Sequence, residues 1–159
     1  MNPEEFLPKL ASSEYRSDVC FIGSAFLEPG PAVRRLGAVF FRNQCKKIVG
    51  YWWYRLRNYK LLKDKIVPHW LSPDKTARYY HGAKIAINVH RSVHEDTFNR
   101  NRHKIAAHSV NPRTFEISSC GALQLTDERL NLPGLYEVGS ELDVYASAQQ
   151  LVEKKSVST

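Results

Sequence analysis

A chain of 159 residues, 43% hydrophobic and 25% charged, is the length of one domain with a substantial core. Its 23 lysines and arginines against 16 acids give a net charge of +7, which calls for an anionic partner. No apolar run approaches the ~18 residues of a membrane-spanning helix. The acidic start Met1-Asn2-Pro3-Glu4-Glu5 has no signal-peptide apolar stretch, so a soluble cytoplasmic protein is expected.

Residues 1–17 read as an N-terminal extension, 18–155 as the domain and 156–159 as a tail. Asp18-Val19-Cys20-Phe21-Ile22 is a continuous apolar run closed by Gly23-Ser24, as in a strand covered on both faces. Pro29-Gly30-Pro31 introduces a helix over 32–43, and 46–51 is the next strand. Residues 34–65 carry ten bases and one acid, Asp64, whereas 117–159 carry six acids and three bases. The basic front half suits a nucleotide, a nucleic acid or membrane headgroups equally well. Within it, Tyr51-Trp52-Trp53-Tyr54-Arg55-Leu56-Arg57 mixes aromatic and basic residues. Its bland reading is core or interface packing of Trp52 and Trp53.

Ser72-Pro73-Asp74 starts a helix running to His81, with Gly82 as its stop. Lys84-Ile85-Ala86-Ile87-Asn88-Val89 is a buried strand, and 90–104 is a polar, basic loop without periodicity. Asn111 then caps a helix with Pro112 at its first position. Val110 and Phe115 are spaced to close over each other as a staple. The amides of Arg113 and Thr114 would lie at the positive helix end, where an anion binds readily. Arg113 adds a guanidinium fork suited to phosphate. Glu116, three residues further, shares its face and could take a ribose diol, or else form a plain surface ion pair with Arg113. Gly121 can take the left-handed turn ending this helix, and 122–126 form a short buried strand. A turn-rich segment over 127–139, a strand over 141–145 and a helix start at Ser147 complete the chain.

Strands alternating with helices predict an α/β, Rossmann-like parallel sheet with helices on both faces. Ligands bind such sheets beyond the carboxyl ends of the strands. Three segments would meet there: Gly23-Ser24, His90-Arg91 and the helix start at Asn111. Neither GxGxxG nor GxxxxGK[ST] is present, so no dinucleotide fingerprint or P-loop is expected. Cys20, Cys45 and Cys120 form no CxxC and no Cys/His cluster, so reduced thiols and no metal site are expected.

The blocks 18–24, 84–91, 111–127 and 135–145, in this order, resemble the nucleotide-binding half of the spore-maturation CgeB-like glycosyltransferases, a branch of the GT-B superfamily. The resemblance runs over about residues 14–152 and is weakest between 26 and 80. It implies a transferase moving a sugar from a nucleotide-diphosphate sugar to an acceptor, with no metal and no other cofactor. It also implies that Glu116 holds the donor ribose, that Asn111, Arg113 and Thr114 face the diphosphate, and that Gly23, Ser24, His90 and Arg91 line the same pocket. No catalytic base is assigned. Three departures stand out, one being that the sequence stops at Thr159, soon after a helix start, where the resemblance leads one to expect further helices. Many retaining relatives carry a glutamate eight residues before the ribose-binding one, where this chain has His108. The acceptor-side domain is also expected to be missing, so the chain reads as half an enzyme that works with a separate protein or as a truncated, non-catalytic fragment. A nucleic-acid-binding module using 34–65, with Arg55, Arg57 and Lys60 on phosphates, is the alternative from another class.

Overall fold

A computed structural model describes residues 8, 12–22, 45–49, 66–67, 70–90, 103, 105–106 and 108–157. Gly23, Ser24, Arg91, the helix expected over 32–43 and the aromatic block at 51–59 lie outside the described residues.

The apolar run after Arg16 becomes strand β1 (Ser17–Ile22), followed by β2 (Cys45–Val49) and β3 (Ile66–Val67). The two-residue β3 is an edge strand too short to leave a periodic signature, and the sequence does not announce it. Helix α1 (Pro73–Gly82) leads into β4 (Ala83–Asn88), and helix α2 (Pro112–Ser119) leads into β5 (Leu123–Asp127). Strand β6 (Asp143–Tyr145) and helix α3 (Ala148–Val157) follow a short 3-10 turn at Leu132–Gly134.

These strands form one six-stranded sheet in the order β3-β2-β1-β4-β5-β6. Every adjacent pair is parallel. The chain thus builds outward from β1 to one edge, then returns to lay β4 on the other side of β1. That reversal between β1 and β4 is a topological switch point, and doubly wound sheets take ligands outside the carboxyl ends of the strands at such a point.

Alternation along the strands sorts the core into two layers. Cys20, Ile22 and Ala86 pack against Tyr79 and Tyr80 of α1 and Ile117 of α2. On the opposite face Val19, Ile85, Ile87, Leu125 and Tyr145 meet Leu151 and Val152 of α3. Helices therefore cover both faces, as the α/β Rossmann-like reading requires. Ile85, Ala86 and Ile87 are at most 2% exposed, which is why β4 is apolar without alternation.

The helix boundaries follow local chemistry. Ser72 caps α1 by accepting from the amide of Lys75 at 3.4 Å, with Pro73 at the first position. Gly121 takes φ 70°, the left-handed conformation anticipated for the end of α2. Gly82 closes α1 for a different reason. A Cβ there would lie 2.2 Å from the Tyr15 carbonyl oxygen, so glycine permits the 3-10 turn Ser13–Tyr15 to sit against the helix end.

Candidate functional site

The start of α2 is built as the cap pattern requires. Asn111 Oδ1 accepts from the Thr114 amide at 3.1 Å, and Pro112 occupies the first helical position. The same oxygen accepts from Asn88 Nδ2 at 3.1 Å, and Asn111 Nδ2 donates back to Asn88 Oδ1 at 2.9 Å. Asn88 Nδ2 also donates to Thr114 Oγ1 at 3.0 Å. Two amides and one hydroxyl thus tie the helix start to the last residue of β4. Asn88 and Thr114 are both 0% exposed, so within this polar knot their side chains are satisfied by protein partners and not by water.

That knot corrects one expectation. The Thr114 amide does not face an anion, because the cap consumes it, and its side chain is buried against β4. Pro112 has no amide to offer. The Arg113 amide and guanidinium take no part in this cap. The surface ion pair considered for Arg113 and Glu116 is not formed between them. Both side chains are half-buried on the same helix, and no acid lies in its first turn. Asn111 is likewise half-buried. Phe115 lies beside Tyr136, with ring centroids 6.1 Å apart, and closes the outer flank of the helix.

His90 was expected within a polar loop; the structure buries it instead. Its ring Nδ1 lies 2.7 Å from Asp127 Oδ1, and its backbone amide donates to that same oxygen at 2.8 Å. Arg129 donates to the other oxygen, Oδ2, at 2.6 Å. His90 follows β4 and Asp127 ends β5, so adjacent parallel strands bring together two residues 37 positions apart. On the far side, the Tyr145 hydroxyl donates to the Asn88 carbonyl at 3.0 Å. Burial pushes that phenol well above its ordinary value, so it stays protonated and able to donate.

Burial alone would raise the Asp127 carboxyl. The hydrogen bonds from the His90 ring and amide, with the charge of Arg129, outweigh burial and hold it below its ordinary value. Because the folded value lies below the unfolded one, Asp127 contributes stability that is complete above about pH 4. That contribution is lost as pH falls through the lower folded value. Melting curves of the natural chain and of Asp127→Asn are expected to differ at neutral pH and to converge on acidification below pH 4. A difference that stays constant with pH would remove the carboxylate from this role.

Of the residues read from sequence as donor-binding, Asn111 and Thr114 meet Asn88 at the end of β4, His90 lies two residues beyond Asn88, and Arg113 and Glu116 lie on the helix that Asn111 caps. Gly23 and Ser24 follow β1, whose Phe21 pairs with Ile87 of β4. His108 is exposed, and its carbonyl accepts from the Asn131 amide at 3.3 Å. Asn88, Asp127, Arg129 and Tyr145 were missed. A lone asparagine ending an apolar strand was the available signal for Asn88, since a buried amide must find partners. Nothing local marks the other three.

Among the described residues, no group of three or more His, Cys, Asp or Glu is placed to hold a metal ion. Among them also, no helix is long and apolar enough to cross a membrane. Cys20 and Cys120 are buried thiols.

Two comparisons bear on this arrangement. A family model described as glycosyl transferase-like matches residues 31–157. Over 84 residues the chain is 40% identical to the spore protein CgeB of Bacillus subtilis (strain 168). That stretch is 51% of this chain and 26% of the relative, so the match spans about a quarter of the relative's length.

Proposed function

The chain belongs to the glycosyl transferase-like family, and on that premise we propose that it is a donor-binding unit for a nucleotide-diphosphate sugar. One observation carries this reading. Arg113 sits at the positive end of α2 with no acid in the first turn and no ion pair to Glu116. A cation at a helix N-terminus is unfavourable on its own, so the site gains most from an added anion. A diphosphate supplies that charge beside the carboxyl ends of β1 and β4. Glu116, one turn further along the same face, accepts from the two ribose hydroxyls. The leaving diphosphate is then neutralised by Arg113 and the helix end, without a metal ion.

Calorimetry with UDP, GDP and dTDP tests this. At least one is expected to bind, with Glu116→Ala weakening it roughly tenfold, the loss of about 1.4 kcal/mol. Arg113→Ala is expected to weaken it more and to flatten its salt dependence. Absence of binding heat with all three would overturn the donor pocket. The basic stretch 34–65 offers a control: oligonucleotide binding would collapse between low and moderate salt, whereas diphosphate binding would fall only modestly.

A further inference from the structure

The cluster His90, Asp127 and Arg129 has a geometry that the diphosphate reading leaves unused. Both Asp127 oxygens are occupied, Oδ1 by the His90 amide and ring and Oδ2 by Arg129. An ionised carboxylate only accepts, so the ring must place its hydrogen on Nδ1. Asp127 is held ionised by these same groups. In the neutral ring, Nε2 then carries the lone pair. The His90 side chain is 5% exposed, yet Nε2 is buried with no hydrogen-bond partner among the described residues. A buried acceptor left unmatched destabilises the folded chain, so such groups mark a place completed by something else. Its location is two residues beyond Asn88, the residue at the carboxyl end of β4 to which the start of α2 is tied.

We propose that Asp127 and Arg129 are positioning residues that fix the His90 ring, whose Nε2 accepts a hydrogen bond from a hydroxyl of the transferred sugar. This rests on the donor-binding reading above and adds the sugar end of the ligand to it. The chemistry selects a hydroxyl over phosphate. A phosphate oxygen at neutral pH is an acceptor and cannot fill another acceptor, whereas a sugar hydroxyl brings its own hydrogen. Arg129 acts through Asp127, and Asp127 through the ring.

The test uses the full chain labelled with nitrogen-15 in its histidines, with His90 assigned by His90→Gln. Its nitrogen resonances are expected to show the Nδ1-protonated tautomer, and Asp127→Asn is expected to abolish that preference. Titration with UDP, GDP, dTDP and their glucose esters follows. An ester that binds is expected to move the His90 Nε2 resonance further than its diphosphate does. Asp127→Asn and His90→Gln are each expected to weaken the ester about five- to tenfold, the worth of one hydrogen bond, leaving the diphosphate unchanged. Cooperative melting of both variants separates this from unfolding. An Nε2-protonated ring in the natural chain overturns the proposal. So does a bound ester that leaves Nε2 unmoved, or equal weakening of ester and diphosphate. Failure of every diphosphate to bind sinks the donor reading and the ligand of this site with it, while the tautomer still judges the Asp127 contact separately.

Discussion

Asn88→Ala is expected to lower stability by about 3 kcal/mol, from bonds lost and buried groups left unmatched. Asn88 exchanges two bonds with Asn111 and gives a third to Thr114, all at 2.9 to 3.1 Å. Thr114 is wholly buried, so once Asn88 is gone its hydroxyl keeps only the bond it donates to Asn111 Oδ1 at 3.3 Å and finds no water in place of the lost donor. The cap itself survives, since Asn111 still accepts from the Thr114 amide within its own segment. Helix α2 therefore persists but loses its attachment to β4. Ligand affinity should then fall alongside stability, because Arg113 and Glu116 ride on that helix. Urea unfolding measures the first effect and diphosphate calorimetry the second. A variant that keeps its stability would show that the amide knot is dispensable and that apolar packing alone seats α2. Asn88→Asp separates the two contributions: it keeps the shape but removes the donor hydrogens and adds a buried charge, and should be at least as damaging.

Gly82→Ala should destabilise by about 1–3 kcal/mol, against the gain of about 0.8–1 kcal/mol that alanine brings to a helix interior. The added Cβ would stand 2.2 Å from the Tyr15 carbonyl oxygen and 2.5 Å from its carbon. Both atoms are backbone, so no side chain can swing aside. The turn Ser13–Tyr15 would have to lift, and with it the edge-to-face contact of Tyr15 on Tyr79, whose centroids are 5.0 Å apart. For a chain of this length each kcal/mol is about 2–4 °C in Tm. The site lies beyond the far end of β4, so diphosphate affinity at low temperature should be unchanged. Unaltered melting would mean that the N-terminal turn moves away at little cost. Gly121→Ala is a useful contrast: the added Cβ would meet only Pro8, at an ordinary contact distance of 3.7 Å, and the cost would come from φ 70°.

These two glycines show where sequence reading succeeds and where it stops. Both were legible as helix stops. At Gly121 the reason was also legible, since a left-handed residue ending a helix is a property of a few neighbouring residues. At Gly82 the reason was a carbonyl 67 residues earlier in the chain, at Tyr15. No local pattern encodes it. The same division runs through the site. Asn111, Pro112 and the Arg113/Glu116 spacing are contained within six consecutive residues and could be read directly. The burial of His90 could not, because polar residues surround it in sequence while Asp127 and Arg129 surround it in space.

By itself the sequence determined the parallel α/β class, the helix caps, the apolar strands and the placement of a cation and an acid on one helix face. Each of these depends on residues within a few positions of one another. Tertiary structure alone decided the strand order, which sets β4 between β1 and β5. That order joins Asn88 to Asn111 across 23 positions, His90 to Asp127 across 37 and Tyr145 to Asn88 across 57. It also spent the Thr114 amide on the cap and left Arg113 as the cation at the helix start. The physical reason is range. Backbone preferences act over a turn or a strand, whereas a buried polar group is satisfied by whichever side chain the sheet brings beside it.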